Sequence, residues 1–324
     1  MKYTIAIAGS TKNTVLMAET LLKDSRFEII ATISPTAKLI GRKQILTKNP
    51  LQIWSEEHKL PTFLVKKKLE EISFSEIKSI DFLLVVDFGY LIPEWLLKLP
   101  KIAPLNVHPS LLPKWRGSSP GQFALLFQDL DRNGKQSATT LMIMSQGLDE
   151  GPILAQLDFQ LEEDWTQIEY YETAFNLMGE KLADLISDFA EGKISAQNQA
   201  EKSPTMIARR LNKEDSFIDF ESLKKMMAAD SGSEKISSKN QEKALLRNLL
   251  SEQQSRAEQI NLVINASKAF SPWPALWTMV KTSKGEQRMR IFSCHLAVNK
   301  LVLDQIQIEG KNPCLFNECK NALI

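Results

Sequence analysis

At 324 residues the chain is long enough for two domains, and 43% hydrophobic with 24% charged residues is the ordinary balance of a soluble globular protein. The longest apolar runs fall short of the roughly 18 residues a membrane span needs, and MKYTIAIAG is too short for a secretory signal. A cytoplasmic protein without a membrane partner is the expectation. Net charge is only +1, so no global field points to one class of ligand.

Residues 3–8 are a short apolar strand ending at Gly9, and TKNT leads into helical spacing at Val15, Ala18, Leu21 and Leu22. Residues 28–33 form the next strand. The connection SPTAKLIGRKQILTKNP is long and polar, a length often tied to function, and it precedes a helix through Leu51, Ile53 and Trp54. Within it Arg42 and Lys43 follow Gly41 on a flexible loop, placed either to meet phosphate or to form a solvated basic face. Residues 82–86 are a buried-type strand running into DFGYLIP. There Gly89 lets a backbone approach closely, while Phe88 and Tyr90 are either walls for a flat ligand or, more plainly, core aromatics at a strand-to-helix turn.

The strand at residues 102–107 enters LNVHPSLLPKWRGSSPGQ, where polar and conformationally restricted residues crowd together. Asn106 and His108 alternate along its end, so both side chains point to one side of a sheet. An amide N–H₂ beside a group that exchanges protons near neutral pH suits acyl transfer. Such a pair wants a carboxylate to hold the imidazole, and SQGLDEGP supplies Asp149 between Gly147 and Gly151. A helix at 121–127 and strands at 138–144 and 153–159 surround these loops. Ile168, Tyr171, Phe175, Met178, Leu182, Leu185 and Phe189 then mark the apolar face of a long helix. Alternating strands and helices argue for an α/β, doubly wound, mostly parallel sheet with ligands outside the carboxyl ends of its strands. Neither G-x-G-x-x-G nor a Walker A pattern occurs, so no dinucleotide or nucleoside triphosphate is indicated.

EGKISAQNQAEKSPTM reads as an interdomain linker, followed by Arg209, Arg210 and Lys213. Residues 230–255 turn Ser-, Lys- and Gln-rich and read as an insertion, partly disordered or a protruding helix. A helix at 257–270 stops at SPWPALWT, and strands at 289–292 and 301–308 suggest a small β-barrel. Residues 1–200 carry 21 Lys and Arg against 25 Asp and Glu, residues 201–324 carry 19 against 14. The basic excess lies late, where it suits nucleic acid or simply a solvated surface. Cys294, Cys314 and Cys319 are odd in number, lack C-x-x-C spacing and have only His295 nearby, so neither disulfide nor metal site is expected.

N-V-H-P-S-L-L-P-K-W-R-G-S-S-P followed by G-L-D-E-G-P-I resembles the signature of the 10-formyltetrahydrofolate-dependent formyltransferases. The resemblance implies a formyltransferase-like Rossmann-type catalytic domain at 1–192, a linker at 193–208 and an OB-like tRNA-binding domain at 209–324 with an insertion near 230–255. It implies transfer of formyl from 10-formyltetrahydrofolate, a co-substrate used without metal, to the α-amine of methionyl initiator tRNA by a monomer. Asn106, His108 and Asp149 match the family's catalytic trio. Phe88, Gly89, Tyr90, Leu91, Ser110, Leu111, Leu112 and Pro113 would line the folate site. Arg42, Lys43, Trp115, Arg116, Arg209 and Arg210 would face the tRNA. The usual G-T-P-x-F-A reads GSTKNTV here, and the C-terminal domain is shorter than usual after Trp277. An enzyme acting on an amino-sugar nucleotide, or a non-catalytic tRNA- or folate-binding protein, is the alternative.

Overall fold

A computed structural model of the protein describes residues 2–41, 43–69, 79–128, 135–228, 244–253 and 255–320. In chain order these form β1 (Tyr3–Gly9), α1 (Lys12–Leu22), β2 (Phe27–Pro35), β3 (Lys38–Ile40), β4 (Ile45–Thr47), α2 (Pro50–Glu57), β5 (Thr62–Val65) and β6 (Ile80–Val86). Next come α3 (Glu94–Leu97), β7 (Pro100–His108), α4 (Pro120–Leu126), β8 (Gln136–Ile143), β9 (Ile153–Gln160) and α5 (Gln167–Ala190). The C-terminal part adds α6 (Phe220–Met227), α7 (Leu245–Glu252), α8 (Arg256–Ala269), β10 (Leu276–Thr282), β11 (Gly285–Ala297), β12 (Lys300–Ile308), β13 (Cys314–Leu315) and α9 (Phe316–Cys319). Two compact units result. One holds Met1–Ser118, Ser137–Phe159 and Tyr171–Ile207; the other holds Ser119–Gln136, Gln160–Tyr170 and Ala208–Ile324.

The first unit is built on a seven-stranded sheet in the order β5-β2-β1-β6-β7-β8-β9. β5, β2, β1, β6 and β7 pair in parallel, and β8 returns antiparallel to β7. Both faces of the central strands are covered. Ile5, Ile7, Phe82, Leu84, Val86, Leu105 and Val107 join Met17, Phe175, Met178 and Leu182 in one core, and Ala6, Ala8, Ile33, Leu83 and Val85 form another. This double burial is why these strands are near-continuously apolar. Register sets the ends level: Gly9 lies beside Val86, and Val85 beside Asn106, so the loops after β1, β6 and β7 open at one edge.

The long connection after β2 is not the plain loop expected. It contains a hairpin of β3 and β4, in which Lys38 pairs with Thr47 and Ile40 with Ile45. Leu39, Ile40, Ile45 and Leu46 are 56–67% exposed, so no burial pattern marked these strands in the sequence. Residues 193–207 are knitted into the first unit rather than running free: Gln197 bridges Ile153 in both directions at 2.8 Å.

The second unit carries a four-stranded antiparallel sheet in sequential order, β10 to β13, where an OB-like barrel was expected. α8 packs on β11 and on α4. Most of the expected insertion lies outside the described residues, but α7 within it buries Leu246, Leu249 and Leu250. Cys314 and Cys319 form a disulfide, against the expectation from their number. The step from β13 into α9 brings their Cα atoms within 6.7 Å, a closeness that sequence spacing does not reveal.

Arg209 and Asp215 anchor the start of this unit. Asp215 is fully buried and accepts from Arg209 Nη1 and Nη2 at 2.8 and 2.6 Å, from the Asn212 N–H at 2.8 Å and from the Leu245 N–H at 3.3 Å. Burial pushes the carboxyl up, but these donors outweigh it and hold it below the usual range. A carboxyl depressed in the fold contributes stability above its unfolded pKa and loses it as pH falls through the folded value. Asp215→Ala is therefore expected to cost about 2–3 kcal/mol at neutral pH. Urea titrations at pH 7 and at about pH 3 should show the gap to the parent protein narrowing in acid; a constant gap would refute the role assigned to the pair.

Candidate active site

β7 ends at His108, and the chain then folds into a fully pinned loop. The Ser110 hydroxyl donates to the Lys114 carbonyl at 2.8 Å, Thr140 Oγ1 donates to the Ser110 carbonyl at 2.6 Å, and Gln156 Nε2 donates to the Leu112 carbonyl at 2.9 Å. Ser203 Oγ donates to the Pro113 carbonyl at 2.8 Å, and the Trp115 N–H donates to Thr205 Oγ1 at 2.9 Å. Each bond fixes backbone that the prolines already restrict. Trp115 itself sits at φ +58, a left-handed conformation that a bulky residue adopts only when its surroundings enforce it.

His108 is 4% exposed. Its Nε2 lies 3.2 Å from the Trp115 carbonyl, and its Nδ1 lies 3.7 Å from Asp149 Oδ2, within ion-pair reach but beyond a hydrogen bond. The same Oδ2 accepts the Gly117 N–H at 2.8 Å. Asp149 has φ +52, tolerable for Asp. Gly151, two residues on, is obligatory: a Cβ there would lie 1.8 Å from the Ile143 carbonyl oxygen.

The expected trio thus assembles at one edge of the sheet. Asn106 sits half-buried two residues before His108, and its side-chain amide has no hydrogen-bond partner among the described residues. An amide with both donors uncommitted, beside a proton-exchanging ring paired to a carboxylate, can stabilise charge on an acyl oxygen.

The residues expected to meet folate divide in two. Phe88, Ser110 and Leu112 are buried, the last two inside the pinned loop. Leu91 is 89% exposed, Gly89 has φ +70 with open space around it, and Tyr90, Leu111 and Pro113 are half-buried. Phe88 and Tyr90 hold their ring centroids 5.3 Å apart. A flat ligand would therefore meet an open aromatic-backed loop after β6 and the outer side of the loop after β7.

Arg116 does not face outward as its place among the expected tRNA contacts would require. It is 5% exposed, and its guanidinium donates to Gln199 Oε1 at 3.2 and 3.0 Å and to the carbonyls of Ala200 and Glu201 at 2.8 and 3.2 Å. Gln199 Nε2 in turn donates to the carbonyls of Asp149 and Gly151 at 2.9 and 2.7 Å. Arg116 and Gln199 thereby clamp the Asp149 loop. Trp115 is 6% exposed. Lys43 is exposed on the turn between β3 and β4, and Arg42 lies outside the described residues. In the second unit Arg210 is exposed, while Arg209 is engaged with Asp215.

Two contributors escaped the sequence reading. Nothing local marks Gln199, which acts through tertiary contacts. Asp87 had a signal, an acid set directly after the apolar run of β6. Its Oδ2 accepts from Thr11 Oγ1 at 2.9 Å and Asn13 Nδ2 at 2.8 Å, and its carbonyl accepts from Ser10 Oγ at 3.1 Å. The departure GSTKNTV after β1 is thus matched by an acid after β6. Desolvation pushes the Asp87 carboxyl up, against the bonds from Asn13 and Thr11 and the positive charge of a protonated His108.

Among known proteins, a family model described as formyl transferase matches residues 1–183. The chain is 30% identical over 226 residues to a methionyl-tRNA formyltransferase of Campylobacter jejuni, covering 68% of this chain and 70% of that one. It is 32% identical over 197 residues to the enzyme of the same name from Ehrlichia ruminantium, covering 60% of this chain and 63%, just under two thirds, of the relative. Among solved structures, an N-formyltransferase from Helicobacter canadensis in complex with folinic acid and dTDP-3-aminofucose superposes with a TM-score of 0.55 at 16% identity, over 92% of this chain and 88% of that one. At that identity the likeness concerns the fold.

A carboxyl raised in the fold opposes folding once pH climbs above its unfolded pKa. Asp87→Asn keeps an acceptor for Thr11 and removes the titration. Relative to the parent, the variant is expected to gain thermal stability between about pH 4 and pH 7. Melting curves that stay parallel across that range would show that Asp87 carries no such cost.

Proposed function

The chain belongs to the formyl transferase family, and from that premise we propose that it transfers the formyl group of 10-formyltetrahydrofolate to the α-amine of methionine on initiator tRNA, as a cytoplasmic monomer. The observation that supports the chemistry is the Asn106 amide, without a hydrogen-bond partner among the described residues, standing two residues before His108, which faces Asp149. The names of the two relatives support the choice of acceptor.

In this reading the amine nitrogen bonds to the formyl carbon, negative charge gathers on the formyl oxygen, and the bond to the folate nitrogen then breaks. Asn106 donates to the oxygen. His108 takes the proton shed by the amine and supplies one to the leaving nitrogen, and Asp149 stabilises the imidazolium in between. The open loop of Gly89, Tyr90 and Leu91 with Leu111 and Pro113 holds the folate, with Phe88, Ser110 and Leu112 supporting from beneath. Arg116 and Trp115 position the loops. Arg42 and Lys43 meet phosphates of the tRNA, and Arg210 in the second unit has the same role, since cations set position rather than sequence. A second reading, transfer to an amino-sugar nucleotide, has the Helicobacter neighbour in its favour.

Asn106→Ala and His108→Ala are each expected to lower turnover by about 10²–10⁴-fold. Transfer of labelled formyl to methionyl initiator tRNA measures this, with a nucleotide-linked amino sugar as the competing acceptor. Near-parental rates in either variant would reject the roles of these two side chains, and label on the sugar alone would replace the acceptor.

A further inference from the structure

The proposed reaction leaves unused a cleft of about 70 Å³ in the second unit, lined by Trp273 and its flanking prolines, Trp277, Lys213, Arg288 and Arg290. Trp277 lies opposite Arg290 in the antiparallel pairing of β10 with β11, so the two side chains share a face with Arg288 two residues along. Several contacts hold the arrangement. Trp277 Nε1 donates to the Lys213 carbonyl at 2.7 Å, the Phe217 ring lies 4.6 Å away, and Arg247 covers Phe217 at 4.4 Å. Arg288 lies over the Trp277 ring at 4.7 Å, and its buried Nε–H has no acceptor among the described residues.

Among the described residues, three cations line this cleft and no carboxylate does. The neighbouring Glu309 carboxylate meets the Arg288 backbone N–H at 3.4 Å rather than its guanidinium. No ion pair neutralises Lys213, Arg288 or Arg290 among the described residues. Beside them Trp273 is 49% exposed. A bare anion would satisfy the cations and leave that indole in water. A neutral ring would stack on the indole and leave the cations unused. A nucleotide does both, because every base has a face for stacking and every phosphate an anion for Lys and Arg.

We propose that this cleft binds a nucleotide, its base stacked on Trp273 and its phosphate held by Lys213 and Arg290. The nucleotide can be an unpaired residue of an RNA strand or a free nucleoside diphosphate, which share this chemistry. The RNA outcome rests on the proposed use of tRNA and deepens it, whereas the free-nucleotide outcome stands without that reading.

The test is ¹⁹F NMR of the full chain labelled with 5-fluorotryptophan, the Trp273 resonance being assigned by its loss in Trp273→Phe. Uridine diphosphate, a single-stranded RNA trinucleotide and inorganic pyrophosphate are titrated separately. The Trp273 resonance is expected to shift with the first or second probe and not with pyrophosphate. Read on the resonance of Trp277, which lines the same cleft, Trp273→Ala should weaken the binding of that probe about tenfold, Arg290→Gln about fivefold, and Trp273→Phe should fall between the parent and Trp273→Ala. Tighter binding of the trinucleotide assigns the source to RNA, and tighter binding of the diphosphate assigns it to a free nucleotide. A Trp273 resonance unmoved by both, or moved equally by pyrophosphate, would overturn the site.

Discussion

One carboxylate oxygen, Asp149 Oδ2, ties together the parts on which the proposed chemistry depends. It accepts the Gly117 N–H at the end of one loop and faces the His108 imidazole from another. In water such an attraction would be weak; beside a ring that is 4% exposed it is far less screened. The carboxylate can hold the imidazole only if its own loop cannot drift. Gln199 bonds two carbonyls of that loop and is itself gripped by Arg116, so a buried cation supports the site at one remove.

The sheet supplies the second requirement, that loops distant in sequence open together. Parallel pairing levels Gly9, Val86 and Asn106, and the apolar packing of both faces makes a slip of register costly. Thr14 adds a polar tie, donating to the Val86 carbonyl at 2.8 Å from a fully buried position. Asp87 extends the same link beyond the strand ends. Three non-glycine residues with positive φ, Asp87, Trp115 and Asp149, lie in these loops. Conformations that cost energy gather where side chains must be aimed.

Much of this was legible in the sequence because burial writes itself as periodicity. The apolar runs of β1, β6 and β7 and the stripe of α5 gave the layered sheet. The placing of Asn106 and His108 at the end of β7 and of Asp149 in a facing loop was legible because a proline-marked loop follows that strand and Asp149 stands between Gly147 and Gly151. The hairpin of β3 and β4 was not, since its apolar side chains are exposed and no core selects them. Arg116 looked like a ligand contact because a cation in a signature loop carries no mark of where its side chain turns. The groups it bonds in the fold, on residues 199–201, lie some 80 positions away. The Cys314–Cys319 bond was hidden for a related reason, since only the turn between β13 and α9 brings the two together.

The closeness of Gly151 to the Ile143 carbonyl separates two meanings of importance at this site. A position without room for a single methyl group admits no variation, whatever reaction its neighbours perform. Selection for any function of this fold would keep it as strictly as the imidazole itself. Intolerance to change in this loop therefore reports on the space between two backbones as much as on chemistry, and a diverged relative could lose its catalytic groups yet still retain that glycine.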